Sequence, residues 1–186
     1  IELIKGFKMS NPLEELLRGS NLMVFAIYAV IIAPVVEELI FRRILLNKLR
    51  RFGDLTAILL SGLAFGIFHF NLSQFFYASV IGFFFAYIVI RTNHLIYSIM
   101  LHMMMNLVGM VFVPVITNNQ SLSGVGIILI WFYGAMTIGS ILFILNIKKI
   151  VLIKPQERLL RRRDYILNTG VLLFLALGIG LIILNL

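Results

Sequence analysis

Residues 22–46 read LMVFAIYAVIIAPVVEELIFRRILL, an apolar run that carries one proline, two adjacent glutamates and two arginines. A helix needs about 20 such residues to cross a bilayer, with a range of about 17–25. Pro34 is tolerated in such a span because neighbouring helices satisfy the carbonyl it frees, so it should kink the helix rather than end it. Five further apolar runs follow at 55–71, 74–90, 95–116, 124–147 and 168–185. Together they predict an all-α fold, a polytopic transmembrane helix bundle of six spans forming a single domain over 1–186, with a motif-bearing core at 34–106. Ahead of them, SNPLEELLR (10–18) reads as a short amphipathic helix in the interface, capped by Ser10 or Asn11, with Pro12 in its first turn.

Composition agrees. Of 186 residues, 61% are hydrophobic and 13% charged, and the mean hydropathy is +1.03. Soluble domains carry about 45–50% apolar and about 25% charged residues, so the excess here must face lipid. The net charge of +8 would suggest nucleic acid in a soluble protein. Here the basic residues lie between apolar runs, and the partner they imply is the lipid bilayer, with no nucleic acid. Segments 42–54 and 148–167 hold most of them, whereas 71–74 and 117–123 have no Lys or Arg. The positive-inside rule then puts 42–54 and 148–167 in the cytoplasm of a multi-pass cell-membrane protein. The compact chain and short loops suit a bacterial owner. The absence of cysteine excludes disulfides, thiolate nucleophiles and Cys-based metal or Fe–S sites. The chain opens on Ile1, which points to truncation and missing upstream helices, and no cleavable signal peptide is visible.

Ionisable groups inside a bilayer are costly and usually mark function. Glu38 and Arg42 are spaced i,i+4 and can pair on one helical face, while Glu37 lies about 100° round the helix with no such local partner. Adjacent carboxylates thus divide into a neutralised member and one free to take a proton. Phe65 and His69, and likewise His102 and Asn106, are also i,i+4 pairs, so Phe65 can pack on the His69 ring and the second pair can face one cavity. At 1.5 Å per residue, Glu37 lies about 15 Å from Asn47, His69 about 21 Å from Leu55, and His102 and Asn106 about 12 and 18 Å from His94. All four can therefore meet at one level of the membrane. Met103–Met105 read as packing filler, the phenylalanine runs at 75–76 and 83–85 as lipid-facing or interhelix bulk, and His94 as interfacial.

Elimination narrows the chemistry. The only aspartates, Asp54 and Asp164, fall in loops, and neither a His-Glu-x-x-His helix nor a Gly-x-Ser-x-Gly turn exists. A carboxylate, two imidazoles and a carboxamide suit water activation with stabilisation of an oxyanion. A glutamate and two histidines (Glu37, His69, His102) also make a zinc set, so sequence alone leaves metal open.

Glu37-Glu38-x-x-x-Arg42, Phe65-x-x-x-His69 and His102-x-x-x-Asn106, in that order on successive apolar segments, resemble the three motifs of the CAAX protease and bacteriocin-processing (CPBP, Abi) family. That resemblance implies an intramembrane glutamic peptidase with no cofactor. Glu37 would activate water, His69 would hold the same water, and His102 and Asn106 would be oxyanion donors. Arg42 would pair with Glu38 and fix the helix. The implied partner is a membrane-embedded or membrane-associated peptide, prenylated or not. Some family members are linked to bacteriocin immunity or regulation, so a non-catalytic scaffold is one competing expectation. A proton-coupled transporter is another, and the lack of internal repeats argues against it.

Overall fold

A computed structural model describes residues 22–113, 122–153 and 169–184, and all the regular structure in them is helical. Helix α1 covers Met23–Phe52, α2 Asp54–Phe68, α3 Leu72–Thr92, and α4 Leu95–Asn106 with a π-helical continuation at Leu107–Phe112. Helices α5 and α6 cover Leu122–Asn146 and Thr169–Leu184. Three helical stretches are long and apolar enough to cross a membrane, Met23–Phe52, Leu72–Thr92 and Leu129–Lys149. Three shorter apolar ones complete the six, at Asp54–Phe68, Leu95–Met110 and Gly170–Leu184. Val80, Ile130 and Leu184 turn 64%, 76% and 81% of their surface outward, as a bundle bathed in hydrocarbon requires. The expected helix at 10–18 and the basic run at 158–163 lie outside the described residues.

The proline expected to kink α1 is accommodated by a change of helical register. Tyr28–Ile32 is π-helical, Ala33–Glu38 returns to α with Pro34 in its first turn, and Leu39–Leu46 is π-helical again. π-turns are rare and cluster at functional sites, and these two flank the glutamate pair. Gly53, at φ 97°, lets the chain reverse from α1 into α2, a conformation that needs no Cβ.

Helices α2 and α3 approach closely because glycines face each other. A Cβ on Gly82 would stand 2.9 Å from the Gly62 Cα, so only the small residue permits this backbone contact. Two apolar clusters fill the angle between α1, α2 and α3. Leu46, Ala57, Ile58 and Ala86 form one. Phe41, Phe65 and Ala78 form the other, beside the polar core. Ser61 donates to the Phe41 carbonyl at 3.0 Å, which ties α2 to the second π-helical stretch of α1.

At one end of the bundle, Asp54 N donates to Ile153 O at 3.1 Å and Ile153 N returns a bond to Asp54 Oδ2 at 3.0 Å. Arg91 reaches the Val151 carbonyl at 3.5 Å. The α1–α2 turn, the end of α3 and the segment after α5 therefore share one end.

Candidate active site

Glu38 and Arg42, one turn apart on α1, are both fully buried, with Arg42 Nε 3.2 Å from Glu38 Oε2. The guanidinium carbon lies 4.6 Å from the Phe65 ring centroid and 5.7 Å from that of Phe85. Its terminal nitrogens have no hydrogen-bond acceptor, and the ring faces supply the cation–π contact in its place. With the Phe41 ring at 5.9 Å, one carboxylate and three aromatic rings thus enclose this charge.

His102, brought in by α4, stands between the two glutamates. Its Nδ1 is 3.1 Å from Glu38 Oε1, and its Nε2 is 3.7 Å from Glu37 Oε2. A carboxylate only accepts, so the hydrogen of the first contact sits on Nδ1. The second distance is too long for a direct hydrogen bond. A carboxylate facing an imidazole lone pair would repel it, so Glu37 and His102 are compatible when they hold one proton between them. With Glu38 balanced by Arg42, the four groups then carry no net charge, which is what a low-dielectric surrounding favours.

His69 terminates α2. Its Nδ1 lies 2.9 Å from the Phe65 carbonyl, which fixes the proton on Nδ1 and leaves Nε2 as an acceptor in the neutral ring. The Phe65 ring packs edge-on against His69 at 4.9 Å and against His102 at 5.5 Å. Asn106, at the end of α4, donates from Nδ2 to the Ala29 carbonyl on α1 at 2.8 Å.

A cavity of about 430 Å³ opens among α1–α4, and Glu37, His69, His102 and Asn106 all line it. The four groups singled out in the sequence therefore meet, with Glu38 and Arg42 behind them and Phe65 both behind and along the wall. Glu37, without a partner one turn away, faces His102 from another helix instead. His94 is exposed beside Tyr97, as an interfacial residue would be.

Other contributors escaped the sequence reading. Gln74, Tyr77 and Met105 line the cavity, so part of the methionine run serves the site as well as the packing. Within the phenylalanine run, Phe84 is 56% exposed, whereas Phe85 is fully buried with its ring 5.4 Å from His102. A signal existed: Ala78, Ser79, Gly82, Phe85 and Ala86 recur at helical spacing, a small-residue face on α3 that marks Phe85 as interior. Among the described residues no three His, Cys, Asp or Glu side chains are grouped to hold a metal ion.

Comparison with known proteins bears on the same helices. The family model for type II CAAX prenyl endopeptidases, described as Rce1-like, matches residues 19–108. YdiL of Bacillus subtilis (strain 168), which carries the name of a membrane peptidase, is 36% identical over 77 residues, 41% of this chain and 32% of that protein. The matched part thus spans about a third of the relative's length. No solved structure matches.

Proposed function

We propose that the chain, which matches the Rce1-like family model of type II CAAX prenyl endopeptidases over residues 19–108 and resembles a membrane peptidase over part of its length, is a membrane protease that hydrolyses a peptide bond of a membrane-associated peptide inside the α1–α4 cavity. What carries the reading is that Glu37, His69, His102 and Asn106 line one cavity. Glu37 takes a proton from water while His69 Nε2 accepts the water's other hydrogen, and the oxygen attacks the scissile carbonyl carbon. As Glu37 becomes neutral it stops attracting the His102 Nε2–H. That hydrogen, with one from Asn106 Nδ2, is then available to the developing oxyanion. The proton held by Glu37 passes to the leaving nitrogen as the C–N bond breaks. Glu38 and Arg42 hold His102 in place from behind.

The excess of Lys and Arg in 42–54 and 148–167 supports a place in a bacterial cell membrane with that basic end in the cytoplasm. The test is reconstitution with a library of membrane-associated peptides, wild type against Glu37→Gln, with and without a chelator. Product with wild type that survives chelator and disappears with Glu37→Gln is the expected result. Loss with chelator and rescue by Zn²⁺ would transfer the reaction to a metal. No product from wild type, together with an unchanged cellular phenotype for Glu37→Gln, would assign the chain to a non-catalytic regulator.

A further inference from the structure

The carbonyl of Ala29 has lost both donors its own helix could offer. In α-helical register it would accept from the Ala33 N–H, but in the π-helical stretch Tyr28–Ile32 that N–H goes to the Tyr28 carbonyl. The π register passes Ala29 the N–H five residues ahead, and position 34 is proline, which has none. Ala29 is only 5% exposed, and a buried carbonyl without a donor is costly.

Asn106 fills the gap from α4, with Nδ2 2.8 Å from Ala29 O. A carbonyl accepts only, so the carboxamide must turn its nitrogen, not its oxygen, toward α1. The end-for-end ambiguity of an Asn amide is thereby removed. Nδ2 carries two hydrogens. One is committed to Ala29, and the other remains on a residue that lines the cavity.

We propose that Pro34 is a positioning residue for Asn106. By withholding an N–H from Ala29, it draws the carboxamide into a single orientation, with its second N–H free for the reacting carbonyl. The catalytic half of this rests on the hydrolase reading above, whereas the physical half, the dependence of the Asn106 contact on Pro34, does not.

The experiment is a double-mutant cycle of Pro34→Ala and Asn106→Ala, read by thermal unfolding in detergent and by kcat and KM on a peptide the wild type cleaves. Pro34→Ala restores a backbone donor for Ala29 and makes Asn106 redundant. Asn106→Ala alone should lower Tm by about 2–4 °C, the loss of one hydrogen bond in a chain of this size, and should shift it negligibly in the Pro34→Ala background. Pro34→Ala should lower kcat about ten-fold with little change in KM. Asn106→Ala should lower kcat about 10²-fold, and the double variant should be no slower than Asn106→Ala. Additive Tm shifts or additive losses of kcat overturn the proposal. The unfolding arm stands whether or not the wild type cleaves peptide, so failure of the hydrolase reading and failure of the positioning role give different results. Should Pro34→Ala not fold, an ester in place of the Ala29–Val30 amide weakens the same acceptor with Pro34 retained. The two losses must then again fail to add.

Discussion

His102 Nδ1 lies 3.1 Å from Glu38 Oε1, a contact between residues 64 positions apart that joins α4 to α1 at the level of the cavity. Glu38 therefore serves two cationic or donor groups at once, Arg42 through Oε2 and His102 through Oε1. Its neighbour Glu37, with a fifth of its side chain exposed, serves the cavity. The two carboxylates differ in burial and in partners although they are adjacent in the chain.

That division gives opposite phenotypes for the same substitution. Glu38→Gln leaves the buried Arg42 charge without its counter-ion and should cost about 3–5 kcal/mol of stability. Glu37→Gln removes a group that faces the cavity and should cost about 0.5–1.5 kcal/mol. Thermal unfolding of both variants in detergent compares them directly. A Glu37→Gln protein that unfolds at or below the temperature of Glu38→Gln would contradict the assignment. Replacing the pair together, with Glu38→Gln and Arg42→Met, should recover part of the loss because no charge is then left buried alone.

Phe65 is the shared wall of the site, touching Arg42, His69 and His102 by ring contacts of 4.6, 4.9 and 5.5 Å. Phe65→Ala should cost about 3–5 kcal/mol, as large buried aromatics do. Phe65→Leu keeps most of the volume and should cost less than about 1.5 kcal/mol while removing the ring faces from all three neighbours. Its expected signature is a fall in kcat of about ten-fold in a protein that still folds, read as kcat per folded molecule.

The bundle, its six apolar segments and the pairing of Glu38 with Arg42 were legible because hydropathy and i,i+4 spacing are local properties. So was the convergence of Glu37, His69, His102 and Asn106, since depth along a helix follows from counting residues. What lay beyond the sequence is rotational and inter-helical. Pro34 says that a carbonyl before it will need a donor from a neighbouring helix, but α-helical register would make that the carbonyl of Val30, and the register change at Tyr28–Ile32 that moves the need to Ala29 has no composition signature. The bridging place of His102 depends on how α4 rotates against α1. Phe85 differs from Phe84 only by about 100° of helix, and the glycine face of α3 decides which of them turns inward.

That glycine face makes a contrast between positions. A methyl group at Gly82 would stand 2.9 Å from the Gly62 Cα and 3.1 Å from its carbonyl oxygen, atoms of backbone that can move only if the helices separate. Gly82→Ala should cost about 1–3 kcal/mol. At Gly139, on α5, an added Cβ meets open space, and Gly139→Ala should be neutral or stabilising by up to about 1 kcal/mol, the helix-propensity difference. Unfolding of the two variants side by side checks this, and equal shifts would contradict the close α2–α3 contact.

At the basic end of the bundle, Asp54 is 4% exposed and divides its carboxylate between Arg50 Nε at 3.6 Å and the Ile153 N–H at 3.0 Å. The reciprocal bond from Asp54 N to Ile153 O closes a two-bond clasp that holds the segment after α5 against the start of α2. A hydrogen bond to a charged acceptor is worth about 1.5–3 kcal/mol, whereas the Arg50 contact, with a third of its side chain in solvent, adds little. Asp54→Ala should therefore release the Ile153 amide more than it disturbs the core. Hydrogen exchange should quicken about 10- to 100-fold at residues 151–153, while amides of α2 and α3 next to Leu46, Ala57 and Ala86 keep their protection. Arg50→Ala should leave the Ile153 rate within about two-fold of wild type. If Arg50→Ala opens the clasp as widely as Asp54→Ala does, the ion pair and not the backbone bond is what holds the segment.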